Sequence, residues 1–345
     1  MPDTPYEPEF IAPSDMTPEF FAGAVDETQP RAQRILDFAE RVAHESEEIS
    51  FDVIIEQYDG PADIVGFSDS SKLVKGMKTT RQRIEPFHIK NSYPFKVTDR
   101  NGYVVKQNGM YMITRDGIAH ATMYLEQRRR NIMRVACLAM INDRKFTYVK
   151  GKKKIVIPYE REIGKLTTPS IKVGNASFDL TLYLYNIRQE FYLKTRQMPD
   201  TIFMNSNTGQ KFIQIPQLRA AFEASQSSDP ENTSALWDSF NYGGMNFNIL
   251  HEQYPRTDGS LANPIDDNRI VVTVAQVEGA GPESGSPIKI HSARNVLNDN
   301  DANSPYYDSY PLSQDPWAHA ERMYDNMIPA VMKTNIVMQQ DDVHT

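Results

Sequence analysis

Residues 117 to 142 read as one uninterrupted helix, and no other stretch of the chain limits its fold as much. At about 100° per residue, Ile118, Ala121, Leu125, Ile132, Ala136, Ala139 and Met140 fall on one face. Thr114 or Asp116 can cap its start, and Asn142 with Asp143 ends it. At 3.6 residues per turn that is roughly seven turns, a rod rather than an ordinary surface helix.

The same helix carries Arg128, Arg129 and Arg130 in succession. Successive side chains diverge by about 100°, so the three fan out: Arg129 on the apolar stripe, Arg128 at its edge, Arg130 well off it. No single phosphate groove collects all three. Guanidinium groups radiating from one level of a rod suit carboxylates on different neighbours, where the planar fork binds in a bidentate manner. Their stems also cover apolar surface. Arg128, Arg130 and Arg134 are therefore candidate inter-subunit contacts, and Arg129 is expected to matter for folding itself.

Charge supports the idea of neighbours. The 345-residue chain has a net charge of -8, yet residues 72 to 172 hold 23 Lys+Arg against 7 Asp+Glu, and the remainder holds 14 against 38. A basic middle can track phosphates or pair with the acidic part of the same or another subunit. An acidic chain overall, with a pI of about 5.5, suits subunit pairing better than dedicated nucleic-acid binding. With 40% hydrophobic residues and a mean hydropathy of -0.54, either much of the chain is solvated or neighbours complete its apolar surface. Cys137 is the one cysteine, which excludes an intrachain disulfide framework. The N-terminus lacks a basic region leading into an apolar stretch, and Arg134 interrupts the longest apolar run, so a soluble, cytoplasmic protein is expected.

Along the chain, residues 1 to 30 carry six prolines and seven acids without Lys or Arg, and read as an arm anchored by Phe10, Phe20 and Phe21. Residues 31 to 49 have Ile35, Phe38, Ala39 and Val42 at helical spacing. Residues 51 to 112 are short extended runs that suggest a projecting β-hairpin with connecting strands, lined by Lys72, Lys75, Lys78, Arg81 and Arg83. These five are further candidate contacts with another subunit. After the rod come strand-like KFTYV, KKIVIPYE and PSIKV, then a second helix over 177 to 197. TIFMNSNTGQKFIQIPQLRAAFEAS reads as strand, turn and helix, with Asn205 to Gly209 as the turn. NFNILHEQY and RIVVTVAQV are strands, 279 to 316 is a long polar loop, and AVMKTNIVMQQDDV must return to pair with earlier strands.

Motifs for chemistry are weak. GAGPESG, Gly279 to Gly285, has GxGxxxG spacing and no following helix to receive phosphate, so the turn reading wins. DNDANS, Asp299 to Ser304, begins like a calcium loop but lacks the turn glycine and has Tyr310 where a bidentate Glu belongs. Seven scattered histidines form no local motif, which leaves only an enzyme whose His/Asp/Glu site is assembled in space. KGKKK reads as a hairpin turn, and Lys150, Lys152, Lys153 and Lys154 are the candidate DNA-facing residues. No catalytic residue, cofactor or metal site is assigned.

Three stretches carry a resemblance: QRRRNIMRVACLAMINDRKFTYVKGKKK, TIFMNSNTGQKFIQIPQLRAAF, and NYGGMNFNILHEQYPRTDGS with DDNRIVVTVAQ. With the order of elements, they resemble the major capsid proteins of lambda-like tailed phages, of the Hong Kong 97-type capsid fold. The resemblance covers most of residues 50 to 345, while the N-terminal arm is longer and more proline-rich than the family's. It implies an α+β fold with an N-terminal arm (1-50), an E-loop region (51-112), a spine helix and peripheral domain (113-198), an axial domain (199-324) and a terminal strand returning to the peripheral domain (325-345). The implied function is structural: hexamers and pentamers tiling an icosahedral shell in the virion, assembled in the host cytoplasm around double-stranded DNA. Scaffold, portal and decoration proteins are the other implied partners, with no membrane. The alternatives are a nucleic-acid-binding protein using residues 72 to 172 and the spatially assembled enzyme.

Overall fold

A computed structural model describes residues 10–12, 16, 34–46, 49–56, 78–84, 86–99, 101–143, 145–150, 153–158, 164–220, 239–251, 253–255, 261–278, 284–294, 305–314, 316–331 and 336–345. Its axis is the helix Arg115–Asp143, 29 residues and so about 43 Å long. Thr114 provides the cap: its Oγ1 accepts from the Gly117 amide at 3.1 Å. The stripe expected from periodicity is the buried one, with Ile118, Ala121, Leu125, Ala136 and Met140 each at 1% exposure or less. At the far end, side chains of a different sheet satisfy the last carbonyls. Arg269 Nη1 donates to the Asn142 carbonyl at 2.9 Å, and Gln339 Nε2 donates to it at 2.9 Å as well. A cation at a helix C-terminus also complements the helix dipole.

Just ahead of this helix, Val104–Gln107 and Met110–Thr114 form a hairpin closed by Asn108 and Gly109, both at positive φ (50° and 84°). This is the backbone that a two-residue Asn-Gly turn adopts to match strand twist. Phe10–Ile11 adds a third strand antiparallel to Ile113–Thr114, and Met16 is buried at 4%. The described part of the arm is thus docked on the body.

Close approach explains Gly117. A Cβ there would lie 2.8 Å from the Cβ of Tyr103, an atom that cannot swing away. Gly117→Val is expected to destabilise the fold by roughly 1–3 kcal/mol through overpacking, read as a lowered urea midpoint. An unchanged midpoint would contradict the tight helix–hairpin contact.

Two sheets flank the helix. A five-stranded sheet is organised by Trp317–Val331, which pairs antiparallel with Tyr306–Gln314, with Phe87–Lys96 and with Ile288–Ala293; Glu40–His44 adds parallel to the last. A six-stranded mixed sheet has the order Gly164–Lys165, Val337–Asp341, Arg269–Thr273, Thr201–Asn205, Met245–Leu250, Ser239–Tyr242. The helices Leu180–Thr195 and Ser206–Ile213 pack on it, with Phe212 touching Tyr183 and Phe247 at centroid distances of 6.2 and 5.8 Å.

Several expectations change. The 31 to 49 helix shortens to Arg34–Phe38, because Glu40–His44 joins a sheet and ladder pairing overrides a weak helical pattern. The polar loop at 279 to 316 contains two strands; Ile288–Ala293 is buried throughout, and Lys289 and Ser292 have exposures of only 4% and 1%. PSIKV forms only a bridge at Val173 to His344. Asn205 to Gly209 is not a turn: Asn205 ends the strand and caps the next helix directly, accepting from the Thr208 amide at 2.8 Å. Strand pairing also cuts across the expected segments. Three of the five strands beneath the long helix come from between residues 288 and 331, while Val337–Asp341 lies between Arg269–Thr273 and Gly164–Lys165 in the six-stranded sheet.

Candidate functional site: the arginine cluster and a buried ionic centre

Helical geometry does send the three arginines in three directions. Arg128 is exposed; its Nη1 donates to the Tyr124 hydroxyl at 2.9 Å and its guanidinium lies 5.6 Å from that ring. Arg130 is half-buried and reaches Asp37 of its own chain at 3.5 Å. Arg129 is buried at 5% exposure. Its Nε donates to both Glu126 oxygens at 3.0 and 3.1 Å, and its Nη1 meets Asp325 Oδ2 at 2.9 Å. Within the chain, among the described residues, Arg129 meets two carboxylates and Arg130 reaches one, while Arg128 meets none. Arg134 is half-buried on the same helix.

Around Arg129 the long helix is bound to the long strand. His319, Glu321, Met323 and Asp325 alternate along Trp317–Val331 and share one face. All four are buried. Thr122 Oγ1 donates to Glu321 Oε1 at 2.8 Å, and the Tyr307 hydroxyl donates to Glu126 Oε1 at 2.7 Å. Among the described residues Glu321 Oε2 has no hydrogen-bond partner, and burial pushes the Glu321 carboxyl up to about 8. At neutral pH it is mostly the protonated acid, which removes one negative charge from a centre that has one buried arginine for three acids. Burial also raises Asp325, against the pull of Arg129. For Arg129 itself burial works against the charge, but Glu126 and Asp325 outweigh it and hold the guanidinium ionised.

Sequence reading found Arg129 but missed this centre. The pair Glu126 and Arg129 at i, i+3 on an otherwise apolar stripe was a usable signal. The alternation of His319, Glu321 and Asp325 was another, although nothing local told it from an exposed strand.

Of the other candidates, Lys72, Lys75 and Lys152 lie outside the described residues. Lys78, Arg81 and Arg83 lie on the strand Lys78–Ile84, opposite Glu56, Asp52 and Ser50 of Ile49–Glu56. This pair of strands forms a ladder of its own. Lys150, Lys153 and Lys154 sit at the closed end of a hairpin of Lys145–Lys150 with Lys153–Pro158, where Lys150 faces Lys153. The calcium-like stretch 299 to 304 is outside the described residues, as are 279 to 283; Gly285 pairs with Val277 in an antiparallel bridge.

Spatial assembly does bring two histidines together. His44 Nε2 and His291 Nδ1 are 2.7 Å apart. His291 is buried at 1% exposure, and burial with repulsion from His44 and Lys289 lowers it to about 3. With His291 buried, His44 half-buried and both rings held below their ordinary pKa by burial, such a pair suits a core contact. Among the described residues no group of three or more His, Cys, Asp or Glu could hold a metal ion, and no helix is long and apolar enough to cross a membrane.

No family model matches this chain, and no curated protein sequence does either. Solved structures do. A phage-related protein from Bordetella bronchiseptica RB50 superposes with a TM-score of 0.55 over 94% of this chain and 96% of its own, at 10% identity. A proposed prophage capsid protein from E. coli CFT073 gives 0.55 over 96% and 99%, at 9% identity. The chain has the phage-capsid fold. The α+β architecture that the resemblance implied is the one found, and it spans almost the whole of both molecules. A match end to end, with neither chain carrying a large extra part, describes one architecture rather than a shared module.

Proposed function

We propose that this chain is the major capsid protein of a tailed double-stranded DNA phage, and that copies of it assemble into the hexamers and pentamers of an icosahedral shell. The observation that carries this is the end-to-end match in fold to a proposed prophage capsid protein. The uneven charge supports it: 23 Lys+Arg against 7 Asp+Glu in residues 72 to 172, and the reverse elsewhere, give one subunit complementary surfaces for another. Rings closed by heterologous contacts need that kind of complementarity, and many weak contacts per subunit sum to a stable cage. The role is assembly rather than bond chemistry.

In this reading the long helix with the five-stranded sheet is the peripheral domain, the six-stranded sheet with its two helices is the axial domain, and the ladder of Ile49–Glu56 with Lys78–Ile84 is the base of the E-loop. The lysines at the tip of the Lys145–Pro158 hairpin serve as sequence-independent phosphate contacts with packaged DNA. Shell particles in negative-stain electron microscopy of the purified protein are the expected result; only small soluble species, with phage assembly partners present, would sink the proposal.

Arg128 is the exposed member of the cluster and the one best placed to meet a neighbour. Arg128→Glu is expected to abolish shell formation while leaving the unfolding free energy of the subunit, measured in urea, within about 0.5 kcal/mol of wild type, as surface substitutions do. Normal particles from this variant would remove Arg128 from the interface.

A further inference from the structure

The helix Leu180–Thr195 has two unlike faces. Leu180, Tyr183, Leu184, Ile187 and Phe191 are buried against the six-stranded sheet. The opposite face carries Leu182, Tyr185, Tyr192 and Leu193, and Met198 follows just beyond the end; these are exposed at 56, 62, 39, 61 and 55%. Spacings of three, seven and one place them on a single stripe. Thr181, Asn186 and Gln189 fill the gaps, so from 181 to 193 the fully exposed positions hold no charge.

The charged residues of this helix are turned aside and engaged. Arg188 donates to the Gly243 carbonyl at 2.9 Å, and Lys194 bridges Glu190 at 2.7 Å and the Lys165 carbonyl at 2.6 Å. Both ends are fixed as well, by Asp179 accepting from the Thr181 and Leu182 amides and by Arg196 in the left-handed region. A solvent-facing helix ordinarily presents charge. Exposed Leu, Tyr and Met with Asn and Gln and without charge is the composition of an interface core.

We infer that this face is buried against a second copy of the chain. The inference rests on the shell reading. Two observations select the occupant. At on the order of 100 Å² each, the five apolar side chains offer roughly 500 Å², short of the ~800 Å² per partner of a self-sufficient interface. A patch of that size fits one contact among the many that a shell subunit makes. The helix also ends in opposite charges, exposed Asp179 at its start and exposed Arg196 after its end. Another copy of the same chain therefore brings the complement of each end.

The full-length chain supplies a clean probe, because Cys137 is fully buried and its thiol is pushed up to about 12, leaving it unreactive. A thiol at Tyr185→Cys should react freely with N-ethylmaleimide in unassembled subunits and roughly tenfold more slowly in particles. Equal rates in both would overturn the inference. Leu182→Ser with Leu193→Ser should lower particle yield at an unchanged urea midpoint, and a wild-type yield would count equally against it. Wild-type protein that forms no particles would bring down the shell reading and the second-copy occupant with it. Wild-type particles with a freely reactive Cys at position 185 would leave the shell reading standing and remove this contact alone.

Discussion

Arg129→Met is expected to cost about 3–5 kcal/mol of folding stability, because it strips two buried carboxylates, Glu126 and Asp325, of their hydrogen-bonded cation and leaves only Arg41, which acts on them through its charge alone. Arg129 is their shared partner, at 2.9 Å from each carboxylate. Methionine keeps much of the stem's volume, so the loss would report charge and not a cavity. Urea unfolding of unassembled subunits measures it. The loss should shrink at low pH, where protonation relieves the buried Asp325 carboxylate, which burial already raises. A cost under about 1 kcal/mol at pH 7 would mean that water or a shift of the strand Trp317–Val331 replaces the arginine.

The second large effect belongs to Glu321. Its folded-state pKa of about 8 lies above the ordinary 4.5, so between these values the folded chain keeps a proton that the unfolded chain releases. The stability linked to that proton is fully present below pH 4.5 and is lost as pH rises through 8. At about 1.4 kcal/mol per pH unit, the loss reaches about 3 kcal/mol by pH 7. Glu321→Gln keeps an acceptor for Thr122 and does not ionise. It should therefore be more stable than wild type by up to about 3 kcal/mol at pH 7 and nearly equal to it at pH 4. Identical pH profiles for the two proteins between pH 4 and 9 would rule out a buried, protonated Glu321. Against it lie Thr122 of the long helix, which donates to it, and Tyr307 of the neighbouring strand, while His319 and Asp325 share its face of its own strand. His319 acts in the opposite sense, since burial holds that ring below its ordinary pKa and its linked stability is lost as pH falls, but it is common to both proteins and cancels in their difference.

Both predictions lie where the long helix meets the long strand, and this junction shows how legible the chain was. The helix was readable because its signal is local: seven apolar residues at helical spacing, a Thr cap and an ending at Asn142 and Asp143 describe Arg115–Asp143 almost completely. Much of the order of elements was readable for the same reason, and the fold followed from the family resemblance that this order carries. The segment from 288 to 331 was not. Lys289, His291, Ser292, Glu321 and Asp325 make it look solvated, yet each is buried at 6% exposure or less. Their burial depends on partners far away in sequence, 247 residues for His291 with His44 and 196 for Asp325 with Arg129.

The arginine cluster divides in the same way. Sequence alone determined that Arg128, Arg129 and Arg130 point apart, since the rotation per residue of a helix is fixed by its backbone. It also put Arg129 on the apolar stripe. Only the tertiary structure decided which carboxylates they meet, because contacts between distant segments are set by how sheets pack around the rod and not by spacing along it. Packing gave Arg129 to Glu126 and Asp325 and Arg130 to Asp37, and left Arg128 facing outward.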